Sequence, residues 1–278
     1  RMKNKEGSEA MKVITVYSAK GGVGKTTTSI NLAAALAHSD KKVLLIDGDW
    51  QGNTTFGLGV DPRDVNRVAL ADLLVAQINS PDKTAELIEN NIISLEDEGM
   101  DLIPTNPLMN NAEFRMLISH PDNCYAMCEL LSHVDYDYVI IDTPAALDGF
   151  LDLAMMASDS VIIPTEMEFF SYDGLENSFN IINVKRERFN PELNIVGVLL
   201  NKTGSSNRAR QIKELIVDYA ETSDIHVFQT EIPRREVIHD CSGEQVSIFQ
   251  KRSKVKQNYL DLANEIICLL EENGKEEN

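Results

Sequence analysis

Short continuous apolar runs alternate along this chain with longer segments in which apolar residues recur every third or fourth position. The runs at 13–17, 43–46, 138–141, 160–163, 195–200 and 226–228 are rich in Val and Ile. Such runs predict strands buried on both faces, as in a parallel sheet, rather than half-solvated hairpin strands. The helical-period segments at 26–37, 69–78, 125–131, 172–188, 207–220 and 254–270 predict the crossovers between them. Alternation of this kind predicts an α/β fold, a predominantly parallel twisted sheet with helices on both faces and right-handed connections. In such a sheet the ligand lies beyond the carboxyl ends of the strands, so the chemistry is expected just after the runs. The stretch 81–111 yields no clear element. No Pro/Gly/Ser-rich linker or internal repeat divides the chain. Residues 11–272 are therefore expected to form one domain, with a disordered polar N-terminus at 1–10 and a polar, acidic tail at 273–278.

Composition changes this picture little. Of 278 residues, 43% are hydrophobic and 25% charged, as in an ordinary soluble globular protein. No apolar run approaches the roughly 20 residues of a membrane-spanning helix, and the start of the chain lacks an apolar signal region. The net charge of −18 excludes a surface coated in positive charge, but it leaves room for local basic patches. Residues 181–260 hold 13 Lys and Arg against 10 Asp and Glu. They cluster as Lys185-Arg186 with Arg188, Arg208 with Arg210, Arg234-Arg235, and Lys251-Arg252 with Lys254 and Lys256. Cys124, Cys128, Cys241 and Cys268 form no C-x-x-C or Cys/His pattern, so Cys124 and Cys128, four apart, are expected to be two core thiols in a reduced, cytosolic protein.

Candidate chemistry follows three of the runs. After the first comes Lys20-Gly21-Gly22-Val23-Gly24-Lys25-Thr26-Thr27. Glycines let a backbone turn its amides inward and approach a phosphate closely, and the helix that follows adds its own orphan amides and positive dipole end. The pattern predicts a nucleoside triphosphate site in which Lys25 meets the β- and γ-phosphates and the Thr26 hydroxyl holds Mg²⁺. After the second run comes Asp47-Gly48-Asp49-Trp50-Gln51-Gly52-Asn53, which offers two carboxylates at a strand end. One can orient an attacking water or bind the metal through water. After the run at 138–141 comes Asp142-Thr143-Pro144-Ala145, a third carboxylate in position for the metal. Asn201 closes the run at 195–200, and Pro233 lies just past the last one.

The usual P-loop has glycine where this chain has Ala19, followed here by the extra lysine Lys20. The string from Lys20 to Thr27 resembles the deviant Walker A motif of the ParA/MinD superfamily, which includes the nitrogenase iron protein and the arsenite-pump ATPase. The resemblance extends from about Met11 to Leu270. It implies a P-loop ATPase fold that uses ATP and Mg²⁺, with Gly21 to Thr27 wrapping the phosphates. It further implies that Lys20 crosses a dimer interface to the partner's nucleotide, that Asp49 is needed for hydrolysis with Asp47 in support, and that Thr26, Asp49 and Asp142 serve the metal. In the ParA group the second string reads D-x-D-P-Q-G-N, so Trp50 stands in place of a proline. The superfamily's adenine pocket would map to Asn201 and Pro233.

A ParA-type partition ATPase is the leading expectation. It would be a homodimer with ATP sandwiched at the interface, cytoplasmic, and nucleoid-associated when loaded with ATP. It would bind DNA without sequence preference through Arg208, Arg210, Arg234, Arg235, Lys251 and Arg252, and a ParB-like centromere-binding partner would stimulate its slow turnover. A MinD-like membrane-positioning ATPase is the rival, and it needs an amphipathic C-terminal helix with basic flanks. The segment 254–270 has apolar positions but ends in Glu271-Glu272, so a helix packed on the sheet is the expected arrangement. A metal or redox carrier would need paired cysteines that this spacing does not supply.

Overall fold

A computed structural model of the chain describes residues 10–146, 148–168 and 171–276, with the side chains of 272–276 excepted. Most of the expected disordered start and the last two residues of the expected tail lie outside the described residues. The first half of the chain runs β1 (Lys12–Val16), α1 (Lys25–Ala37), β2 (Val43–Asp47), α2 (Asn53–Gly57), α3 (Leu70–Asn79) and α4 (Thr84–Asn91). It continues through β3 (Ile93–Leu95), β4 (Met100–Ile103), α5 (Ala112–Ile118), α6 (Ala126–Leu131) and β5 (Tyr138–Asp142). The second half runs α7 (Gly149–Ala157), β6 (Ser160–Glu166), α8 (Ser171–Arg188), β7 (Asn194–Asn201), α9 (Asn207–Thr222), α10 (Glu236–Glu244) and α11 (Val255–Glu276).

Among the described residues the strands form one seven-stranded sheet in the order β3-β4-β2-β5-β1-β6-β7. All neighbouring pairs are parallel except β3 with β4. Successive side chains of a strand face opposite ways, so each strand serves two cores. Ile14, Val16, Leu45 and Ile140 pack under α1 and α11 with Leu36, Tyr259, Leu262 and Ile266. Val13, Leu44, Ile46 and Ile141 face the opposite layer of α3, α5, α6 and α7, and Val161 and Ile163 face α8 and α9. Both faces are covered, as the unalternating runs require.

Five of the six expected strands form. The run 226–228 does not extend into one: His226 and Phe228 pair with Val198, and the only bridge there is Val198 to Val227. The ladder stops because the Glu265 carboxylate of α11 takes the next amides, Gln229 N at 2.7 Å and Thr230 N at 3.1 Å. In the stretch that gave no element, β3 forms one edge of the sheet and β4 lies beside it. Their signal was weak because each is short and Asp101 interrupts β4, its carboxylate accepting from the Tyr136 hydroxyl at 2.7 Å.

The register sets the site. Asp142 at the end of β5 pairs with Val16 of β1 on one side and with Asp47 of β2 on the other. Two carboxylates and the glycine loop are thereby brought to one end of the sheet. Helix α11, the segment a membrane-binding reading would need, buries Tyr259, Leu262, Ala263 and Ile266 in the core. Its apolar face is spent on α1 and the sheet. Among the described residues no helix is long and apolar enough to cross a membrane.

Candidate functional site

The loop between β1 and α1 turns on Gly22 at φ 79° and Gly24 at φ 92°, values that favour glycine. A Cβ on Gly21 or Gly22 would meet nothing within 4 Å, so the loop has an open side. At Gly24 the surroundings are tight, and a Cβ there would lie 2.4 Å from Asn201 Nδ2. Gly24 caps α1 without a side-chain hydrogen bond. The first amides of the helix have no intrahelical partners and are available to an anion. Lys25 reaches back to the Ser18 carbonyl at 3.3 Å. Burial pulls its pKa below the usual lysine value, and the nearby carboxylates of Asp142 and Asp49 oppose that shift.

Asp142 is fully buried and both of its oxygens are engaged. Thr26 Oγ1 and Thr54 Oγ1 donate to Oδ2 at 2.8 and 2.7 Å, and Ser29 Oγ donates to Oδ1 at 3.0 Å. Burial raises its pKa, while the hydroxyls of Thr54, Thr26 and Ser29 hold it down. Because Thr26 spends its proton on Asp142, its oxygen lone pairs stay free for a cation. Asp47 is also buried, and it accepts from Thr55 N at 2.8 Å, Thr55 Oγ1 at 2.6 Å and Asp49 N at 3.2 Å. Burial, with Asp142 alongside, pushes Asp47 up to about 8 against the pull of those donors. Its geometry is that of a brace for the loop that carries Asp49.

Asp49 is half-buried. Its Oδ1 accepts from Gln51 N at 3.0 Å, and its carbonyl accepts from Gly52 N at 2.8 Å. The turn closes with Trp50 where the ParA pattern has proline, and the indole is exposed. Gly48 between the two aspartates is required sterically. A Cβ there would lie 1.9 Å from the Phe150 ring and 2.7 Å from the Asp142 carbonyl, which the Gly48 amide meets at 3.0 Å.

The other expected residues separate. Lys20 Nζ lies 3.1 Å from Ser171 Oγ and 3.4 Å from Glu168 Oε2. Asn201 is buried against the glycine loop, donating from Nδ2 to the Val23 carbonyl at 2.8 Å and accepting the Lys202 amide at 2.8 Å. One N–H and one oxygen lone pair of its amide remain available. Pro233 bridges to Thr203, which brings the segment 231–234 beside the end of β7. That bridge also brings Arg234 near the approach to α9, where Arg208 and Arg210 stand exposed on a first turn without acidic residues. Arg235 is exposed ahead of α10, and Arg252 ahead of α11. Lys251 is paired with Glu244. Among the described residues the five arginines form no ion pair. Sequence reasoning missed Ser29 and Thr54, the two further donors to Asp142. Ser29 alone had a signal, one helical turn after Thr26.

The AAA-domain family AAA_31 matches residues 11–195. The sporulation initiation inhibitor protein Soj of Bacillus subtilis (strain 168) is 35% identical over 260 residues, covering 92% of this chain and 98% of Soj. The chromosome partitioning protein ParA of Myxococcus xanthus (strain DK1622) is 32% identical over 262 residues, covering 92% and 88%. Among solved structures, cobyrinic acid a,c-diamide synthase from Mycobacterium smegmatis, with bound ADP and magnesium, superposes with a TM-score of 0.74 at 29% identity, covering 92% of this chain and 93% of that one. The diversity of these names shows that the fold by itself does not settle an activity. Soj, however, matches almost from end to end, and the loop, strand and helix order are those of P-loop ATPases. The chain belongs to the ParA/MinD superfamily, in its ParA/Soj branch.

Proposed function

We propose that this protein is an ATP-dependent dimerising switch ATPase of the ParA type that serves plasmid or chromosome partition. Residues 11–272 would act as one ATPase domain, cytoplasmic and nucleoid-associated in the ATP state. The observation that carries the reading is the hydrogen bond from Thr26 to Asp142 behind a glycine loop that holds both Lys20 and Lys25. The open side of the loop suits phosphates, and the oxygens of Thr26 and Asp49, with Asp142 behind Thr26, suit Mg²⁺. When bound, Mg²⁺ would neutralise charge on the β- and γ-phosphates.

The chain's own residues divide the remaining work. Gly21 to Thr27 would bind the phosphates through backbone amides, and Lys25 would place its ammonium against them. Asp142 would act on the cation through Thr26, since hydroxyls already occupy both of its oxygens. Asp49, at the mouth of the site, would orient the attacking water. The free N–H and lone pair of Asn201, with the backbone near Pro233, would meet the adenine. Hydrolysis would serve to change state rather than to make product, so slow intrinsic turnover suits the role.

Lys20 links nucleotide to dimer in this reading. It would leave Glu168 and Ser171 and reach the partner's phosphates. Lys20→Gln is therefore expected to bind ATP within about threefold of wild type, to lose the ATP-dependent dimer seen by light scattering, and to turn over about tenfold more slowly. A normal dimer together with normal turnover would remove the cross-dimer role.

DNA binding would come from Arg208, Arg210, Arg234, Arg235 and Arg252 on two protomers held together by ATP. Lys251 would contribute less, being held by Glu244. Arginines at the positive end of α9 concentrate potential for phosphate although the chain is acidic overall. ATP-loaded protein is expected to retard DNA of arbitrary sequence, losing about a thousandfold in affinity or more between about 50 and 200 mM salt. Arg208→Glu with Arg210→Glu should abolish retardation and leave ATP binding intact. A ParB-like partner would then be expected to stimulate turnover of the DNA-bound dimer. If ATP-loaded protein ignores DNA at low salt but sediments with anionic liposomes, the MinD-like reading replaces this one.

A further inference from the structure

The residues that end β7 grip the glycine loop by its carbonyls. Asn201 donates to the Val23 carbonyl at 2.8 Å, and Lys202 Nζ donates to the Gly22 carbonyl and to the Glu166 carboxylate. Glu166 is the last residue of β6 and is paired in register with Asn201, so anchor and brace leave the sheet at the same rung. Lys202 adopts φ 50°, a left-handed value that costs a non-glycine residue energy, and its amide is held by Asn201 Oδ1 at 2.8 Å. The surrounding contacts hold it in that conformation.

A trans peptide places its C=O and N–H on opposite sides of the chain. Pinning the Gly22 carbonyl to Lys202 therefore turns the Val23 amide away from the brace. Pinning the Val23 carbonyl to Asn201 does the same for the Gly24 amide. Successive amides on one side of a backbone form an anion-binding nest, and the positive φ of Gly22 and Gly24 permits it. The ion pair with Glu166 offsets the charge of Lys202, so the brace adds little net charge to the site.

We propose that Lys202, anchored by Glu166, is a positioning residue that holds the glycine loop in its phosphate-binding shape before nucleotide arrives. The inference rests on the assignment of that loop as an ATP site. A loop already ordered does not draw on the nucleotide's binding energy for its own ordering. The brace acts on the loop and not on the transferred phosphate, so its loss should weaken ADP and ATP alike and leave the chemical step unchanged.

Calorimetric titration of the full chain with MgADP, and with a non-hydrolysable MgATP analogue, tests this. Lys202→Met should bind both about tenfold more weakly, equivalent to about 1.4 kcal/mol, with kcat at saturating ATP within about twofold of wild type. Lys202→Arg should recover affinity to within about threefold of wild type, and Glu166→Gln, which keeps an acceptor without the charge, should lose about threefold. Wild-type affinity in Lys202→Met overturns the proposal. A loss confined to the ATP analogue also overturns it, since it would mark direct contact with the γ-phosphate. If Lys202→Met does not fold, Glu166→Gln decides, and unchanged affinity there overturns the brace. Failure of the wild-type chain to bind either nucleotide would instead sink the ATP-site assignment.

Discussion

Lys25→Ala is expected to weaken ATP binding by about a hundredfold or more, since charge-assisted hydrogen bonds to two phosphates are worth about 1.5–3 kcal/mol each. The same change should not destabilise the nucleotide-free protein. Burial lowers the pKa of Lys25, the sign of an ammonium that costs stability wherever it must stay charged, and Asp142 and Asp49 only partly compensate. On this reading, function rather than folding would account for a lysine there. Thermal unfolding separates the two effects. At a hundredfold excess over Kd, ATP should stabilise wild type by about 2.7 kcal/mol, a rise in Tm of roughly 5–10 °C. In Lys25→Ala, at the same ATP concentration, that rise should shrink to about 1–2 °C or less while the nucleotide-free Tm stays equal or climbs. An ATP-dependent rise retained in full would show that the loop had been misassigned.

Asp49→Ala is expected to keep ATP affinity within about threefold of wild type while turnover falls about a hundredfold or more, the cost of losing a group that orients the nucleophile. Asp49 has the freedom this role needs. Its carboxylate is half-buried and holds one backbone amide, Gln51 N, whereas Asp47 and Asp142 are buried and each accepts three hydrogen bonds. With hydrolysis blocked, the ATP-bound dimer should persist in light scattering for as long as ATP is present. Wild-type turnover would exclude Asp49 from the mechanism. A loss of ATP binding would make holding the metal, rather than positioning water, its main part. Asp47→Asn should behave differently, because its donors come from Thr55 and Asp49 backbone and hydroxyl groups and its loss would disturb the loop itself.

How much of this was legible in the residues depends on how local each feature is. The glycine loop is a contiguous string, and its shape depends on φ values that its own glycines allow, so strand, turn and helix could be read together. The central strands were legible because burial on both faces leaves an unbroken apolar run. The short strands β3, at the sheet's edge, and β4 beside it left no such mark, and the run 226–228 looked like a strand until Glu265, some 35 residues further along, claimed the next amides. That contact depends on how α11 lies across the sheet, which the run itself does not encode.

The same division holds at the site. Sequence alone determined which carboxylates end strands and where the loop turns, since both follow from residue order and backbone preference. Tertiary structure alone decided what those groups touch. The donors to Asp142 come from α1 and α2, 116, 113 and 88 residues away, and they meet only because β5 lies between β1 and β2. Gly48 is explained by Phe150 of α7, Asn201 proves to hold Val23, and Lys202 reaches the loop because β6 and β7 end together. Strand order places these partners, and it is set by packing the whole sheet between its helices, a condition on the entire chain that no short window of residues carries.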